Sequence, residues 1–126
     1  MAFWSRRNWL TLAAAGGFVA VAVGAFAVHG MQGDPRAQEL LKTGAMYGFM
    51  HTMATFACAT LMQVGARRAR FAPAFFLSGV ALFSGSLYAL AFGAPRWVGI
   101  VTPFGGLAFL AGWAILVWAA RGVDPI

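Results

Sequence analysis

The chain has 126 residues, of which 61% are hydrophobic and only 10% charged, with a formal net charge of +6. A soluble domain carries about 25% charged residues and has a large surface to cover, so nine basic and three acidic residues exclude a freely soluble domain. The basic residues sit at the edges of apolar runs, so the charge reads as a membrane-topology signal and not as a nucleic-acid patch.

The first apolar run is Trp9–Val28, preceded by Trp4, Arg6 and Arg7. At about 20 residues it is long enough to cross a hydrocarbon core about 30 Å thick. Lipid cannot satisfy backbone hydrogen bonds, so the run must be helical. The string SRRNWL followed by Ala25-Phe26-Ala27 has the form of a twin-arginine export signal. Removing it would leave only three helices, so the segment is expected to stay as a span. Gly16, Ala20 and Gly24 recur every fourth residue and mark a helix-packing face. His29 closes the run.

The longest connection, HGMQGDPRAQELLKTG, contains a helix start. Asp34 is the expected N-cap and Pro35 the first helical residue. The second helix is therefore expected to begin near Pro35, outside the membrane, and to span over Ala45–Val64. Gly44 and Gly48, continued by Thr52, give it a small-residue face. His51 lies about 10 Å beyond Gly44 at 1.5 Å per residue, with Tyr47 and Thr55 four residues to either side on one face. Cys58 is the only cysteine, so no intrachain disulfide exists, and its apolar setting reads as packing.

The turn GARRAR, with Arg67, Arg68 and Arg70, leads to the third run, Phe71–Phe92. Ala81, Gly85 and Ala89 repeat the four-residue spacing, and Ser84, Ser86 and Tyr88 form a polar cluster. Arg96 and Trp97 precede the fourth run, Val98–Ala120, where Ala108 and Gly112 mark a packing face. Thr102-Pro103 repeats the helix-start signal, so an irregular turn is expected over Trp97–Val101, with the main helix beginning at Pro103. Trp4, Trp9, Trp97 and Trp118 lie near run ends, where indole rings prefer the interface.

These runs predict an all-α integral membrane protein: a single domain over residues 1–126, folded as a compact antiparallel four-transmembrane-helix bundle. One side receives Arg6, Arg7, Arg67, Arg68, Arg70 and Arg121, and the other Arg36, Lys42 and Arg96, the latter partly offset by Asp34 and Glu39. The excess of basic residues marks the cytoplasmic side, which places both termini there.

Chemistry is sparse within the runs. An ionisable residue at membrane depth is costly unless paired, so His51 is the first candidate for a site. Its blander role is a neutral histidine hydrogen-bonded to a neighbouring helix. A haem or metal held by His29 and His51 is disfavoured, because one lies at the rim and the other one to two turns deep. No carboxylate lies within any run, which counts against a proton-coupled transporter, and no base accompanies either serine for nucleophilic catalysis.

The strings GAFAVHG (24–30), AMYGFMH (45–51), LFSGSLY (82–88) and TPFGGLAFLAGW (102–113) together resemble the domain-of-unknown-function 423 family, also called transmembrane-protein-256-like. Their order and four-span layout match along nearly the whole chain. That family typically reads glycine-alanine at Ala27-Val28 and glutamine at Gly48. The resemblance implies a small integral membrane protein with no assigned activity. Its polar set, carried onto this sequence, is His29, Tyr47, His51, Ser84, Ser86, Tyr88 and Thr102.

The leading expectation is a non-enzymatic bundle of the bacterial inner membrane, acting as an accessory or assembly subunit or as a homo-oligomer. Its partners would be membrane lipids and another membrane protein or a second copy, with no nucleic acid, cofactor, metal or catalytic residue. The alternatives are a binder of a small apolar ligand (quinone, lipid or haem) near His51 and Tyr47, and a channel or transporter.

Overall fold

A computed structural model describes residues 4–126. Four helical rods follow one another: α1 (Arg6–Gly30), α2 (Pro35–Gln63), α3 (Arg67–Ala91) and α4 (Arg96–Arg121). The caps are local chemistry. Ser5 starts α1 by accepting from the Asn8 amide, and Asp34 starts α2 by accepting from the Ala37 amide, with Pro35 at the first turn. Both satisfy amides that have no partner inside the helix. Gly65 and Gly93 turn the chain after α2 and α3 with φ of +98° and +101°, a region that favours glycine.

Two rods are not uniform. In α3, a 3-10 turn at Arg67–Phe71 precedes α-helix Ala72–Gly79, a π-helical stretch Val80–Ser84, and α-helix Gly85–Ala91. In α4, Arg96–Ile100 is a 3-10 turn and the α-helix runs from Val101 to Arg121. The expected irregular segment is therefore a short helix of another kind. The expected start at Pro103 is corrected to Val101, and Thr102 is not a cap, because its hydroxyl is committed to Ser86 on α3.

The rods pack side by side in chain order, each antiparallel to the next. A β-carbon built on Gly16 would meet Thr52, and one on Gly24 would meet Ala45, which sets α1 against α2. One on Gly44 would meet Tyr88, and one on Gly48 would lie 3.0 Å from Ser84 Oγ, which sets α2 against α3. Gly79 faces Phe109, Gly105 faces the backbone of Phe83, and Gly112 faces Phe76, which sets α3 against α4. Ala13, Ala20 and Ala27 are buried at seven-residue spacing along α1 and form a narrow seam against α2. At the Arg-rich end all four rods meet around Trp9, Cys58, Ala72, Phe76 and Ala119.

The packing glycines divide. Gly16, Gly44, Gly48 and Gly112 sit at tight contacts, Gly24 at an ordinary one, and Ala20 is buried. Gly85 is a correction: no neighbouring atom lies within 4 Å of its β position, because it faces away from α2 and α4 into an open groove.

Three rods, Arg6–Gly30, Arg67–Ala91 and Arg96–Arg121, are long and apolar enough to cross a membrane. In α2, Tyr47, His51, Thr52, Thr55 and Thr60 dilute the apolar stretch. It can carry them because it lies between α1 and α3 and buries ten residues, more than any other rod. The most buried rod is thus the one that holds His51, Thr52 and Thr55.

Candidate functional site

His51 sits near the middle of α2 with only 3% of its surface exposed. Its Nδ1 lies 2.7 Å from the Tyr47 carbonyl, one turn back. A carbonyl only accepts, so Nδ1 carries the proton. That leaves a lone pair on Nε2, and Trp113 Nε1 on α4 donates to it at 3.0 Å. The imidazole is stacked on Phe109, with ring centroids 3.6 Å apart and planes 6° apart. Phe76 is tilted against it at 5.7 Å and Trp113 stands edge-on at 5.9 Å. A ligand to haem or metal needs a free ring nitrogen, and this ring has none to offer.

The remaining polar candidates form separate pairs. Ser84, at the end of the π-helical stretch, donates to the Gly44 carbonyl of α2 at 2.7 Å. Tyr88, one turn further on, lays its ring over Gly44. Ser86 and Thr102 share a hydrogen bond of 2.6 Å between α3 and α4, and Ser86 also lies within bonding distance of the Phe83 carbonyl. Thr55 donates to the His51 carbonyl and Thr52 to the Phe49 carbonyl, both within α2. Tyr47 is stacked alongside His51 at 6.4 Å and contacts Phe83. His29 is exposed at the end of α1 and, among the described residues, makes no hydrogen bond or ring contact with His51. The expected polar set is thus not one site but three pairings and an outlier.

Polar fastenings join four pairs of rods among the described residues, α1 to α2, α2 to α3, α2 to α4 and α3 to α4. Gln38 Nε2 donates to the Ala27 carbonyl (α1 to α2), Ser84 to Gly44 (α2 to α3) and Trp113 to His51 (α2 to α4). Ser86 with Thr102 joins α3 to α4, as does Arg68, which donates to the Trp118 carbonyl and stacks its guanidinium over the Trp118 ring. Among the described residues, no buried side-chain nitrogen or oxygen lacks a partner. No group of three or more His, Cys, Asp or Glu able to hold a metal occurs among them either.

Sequence reasoning missed Phe109, Trp113, Gln38, Gly79 and Gly105. Phe109 and Trp113 are spaced i, i+4 on α4, a spacing that puts two aromatic rings on one face. That was a legible signal for an aromatic wall, though not for which helix it faces. Gln38 gave none.

The protein family described as "Protein of unknown function (DUF423)" matches residues 23–106. That stretch holds all seven polar candidates and ends before Phe109 and Trp113. The chain is 41% identical to a UPF0382 membrane protein of Haemophilus influenzae, over 91% of this chain and 94% of that one. It is 41% identical to the UPF0382 inner membrane protein YgdD of Escherichia coli K12, over 90% and 89%. It is 34% identical to the UPF0382 membrane protein YwdK of Bacillus subtilis, over 89% and 94%. No solved structure matches. The apolar rods and these relatives agree, and the chain belongs to the DUF423 family as a small integral inner-membrane protein.

Proposed function

We propose that this protein is a non-enzymatic, four-spanning bundle with both termini in the cytoplasm, whose role is to pack against another membrane component. The observation that carries this reading is the satisfaction of every buried polar side chain among the described residues by another group of the same chain. Catalysis needs a group left poised for the substrate, and here His51, Ser84, Ser86 and Thr102 spend their hydrogen bonds on their own and neighbouring helices. The fourth span is α2. Its 29 residues reach about 43 Å at 1.5 Å per residue, and antiparallel packing between α1 and α3 carries it across with them.

A partner helix has room on α4. Gly106, Leu110, Trp113 and Val117 follow one another at helical spacing, all exposed at least in part, and nothing lies within 4 Å of the Gly106 β position. A small residue on an apolar face permits close helix approach. Extraction from native membranes in a mild detergent, followed by native mass spectrometry, tests the reading. It predicts species heavier than the 13.3 kDa chain, containing a second copy or another membrane protein. A monodisperse monomer would overturn it.

A further inference from the structure

The Arg-rich end of the groove between α1 and α3 combines charge and apolar surface. A cavity of about 530 Å³ opens there, lined by Trp4, Arg6, Trp9, Arg70, Phe71 and Ala74 among others. Its two basic residues come from different rods, and none of its lining residues is acidic. Two of the chain's three acidic side chains, Asp34 and Glu39, sit in and just after the α1–α2 connection at the far end, and the third, Asp124, follows α4 at the Arg-rich end but does not line the cavity. Arg70 holds its guanidinium over the Phe71 ring and toward the Arg67 carbonyl, neither of which neutralises its charge, so an anion in the cavity meets positive charge from two rods.

The cavity does not end at the charges. Trp4 and Ala74 also line a second cavity of about 430 Å³, with Leu12, Gly16, Leu77 and Ala81. Gly16, Val80 and Ala81 in turn line a third of about 300 Å³, which reaches Val19, Ser84 and Tyr88. Together they make one furrow between α1 and α3, floored by Gly48 and Thr52 of α2 and open on its outer side. Gly85 is left uncovered because it lines this furrow. From Arg6 to Val19 the α1 wall covers about 20 Å of helix axis, more than half of a hydrocarbon core about 30 Å thick.

We infer that this furrow binds one anionic phospholipid of the cytoplasmic leaflet, its phosphate between Arg6 and Arg70 and an acyl chain along Leu12, Gly16, Leu77 and Ala81. The charge at the mouth and the apolar floor below it fit the two parts of that molecule in the order a lipid presents them. Basic pockets between membrane helices on the cytoplasmic side hold anionic headgroups by this chemistry. The assignment to the cytoplasmic leaflet rests on the proposed topology; binding itself does not.

Native mass spectrometry of the detergent-solubilised full chain, titrated with phosphatidylglycerol or phosphatidylcholine of equal chain length, tests this. Wild type should retain phosphatidylglycerol in preference, by roughly 25-fold if each arginine contributes the factor of about five typical of a basic residue at an anionic surface. Arg6→Gln/Arg70→Gln should abolish the preference. Arg7→Gln/Arg121→Gln, which removes equal charge from the same end outside the cavity, should keep it. If the first double variant does not purify, the single variants should each lose about fivefold. Ala81→Phe, which fills the furrow below the charges, should weaken retention of both lipids. Equal loss in the two double variants, no preference in wild type, or equal binding of soluble glycerophosphoglycerol would each overturn the proposal. A reporter fusion reversing the topology would move the site to the other leaflet and leave these ratios unchanged.

Discussion

Trp113 on α4 donates its indole N–H to Nε2 of His51 on α2 at 3.0 Å, beside the Phe109 ring of α4 on which the imidazole is stacked. The aromatic cluster around the bond joins three of the four helices, because Phe76 of α3 packs against both rings. The buried imidazole of His51 thus becomes a fastening. Both of its nitrogens are used, one by its own helix and one by a neighbour.

The glycines should separate sharply on replacement by alanine. A β-carbon on Gly112 would meet the Phe76 ring at 2.5 Å, and one on Gly105 would meet the backbone of Phe83. Gly112→Ala and Gly105→Ala are expected to cost about 1–3 kcal/mol through overpacking, the second more, since backbone cannot step aside. Gly85→Ala meets open space and should be neutral or stabilising by up to about 1 kcal/mol, the helix-propensity gain. Melting in detergent ranks the three. A loss in Gly85→Ala matching that in Gly112→Ala would contradict the packing described.

Ser84 and Ser78 form a second contrast on α3. Ser84 bonds the Gly44 carbonyl across to α2, whereas Ser78 lines the furrow. Ser84→Ala should lose about 0.6 kcal/mol, the average for a hydrogen bond between membrane helices, and Ser78→Ala should stay within a few tenths. Reversible unfolding in mixed micelles measures both. Equal effects would remove the Ser84 fastening from the account.

Topology is checked by reporters active only outside the cytoplasm. Six basic residues at one end against three at the other predict a silent fusion after Ile126 and an active insertion near Gly33. The opposite pattern would invert the proposed orientation, and activity at both positions would remove one span.

What could be read from the sequence was what local chemistry decides. Asp34 and Pro35 announce the start of α2, because a cap needs only its own next three residues. His51 stood out because any ionisable group at that depth must find partners. Thr102 misled for the same local reason: it resembles a cap until Ser86, from another helix, takes its hydroxyl. Gly85 and Gly112 have identical signatures in their own helices, and only the neighbour across the interface tells the open one from the packed one. Trp113 went unmarked as the partner of His51 because a residue's periodicity shows its face but not what stands opposite. The π-helical stretch at Val80–Ser84 likewise makes its contacts outside its own helix, lying against Gly105 of α4 and carrying the Ser84 bond to α2.

The polar residues inside this bundle fasten helices to one another, and His51 with Trp113 is the sharpest case. A double-mutant cycle over His51→Leu, Trp113→Phe and the double variant, read by unfolding free energy in one detergent, isolates their coupling from the packing each also loses. The Trp113–His51 bond should give a favourable coupling of about 0.6 kcal/mol, within the ceiling of about 1.7 for such bonds. Additive single effects, with no coupling between the two positions, would contradict it.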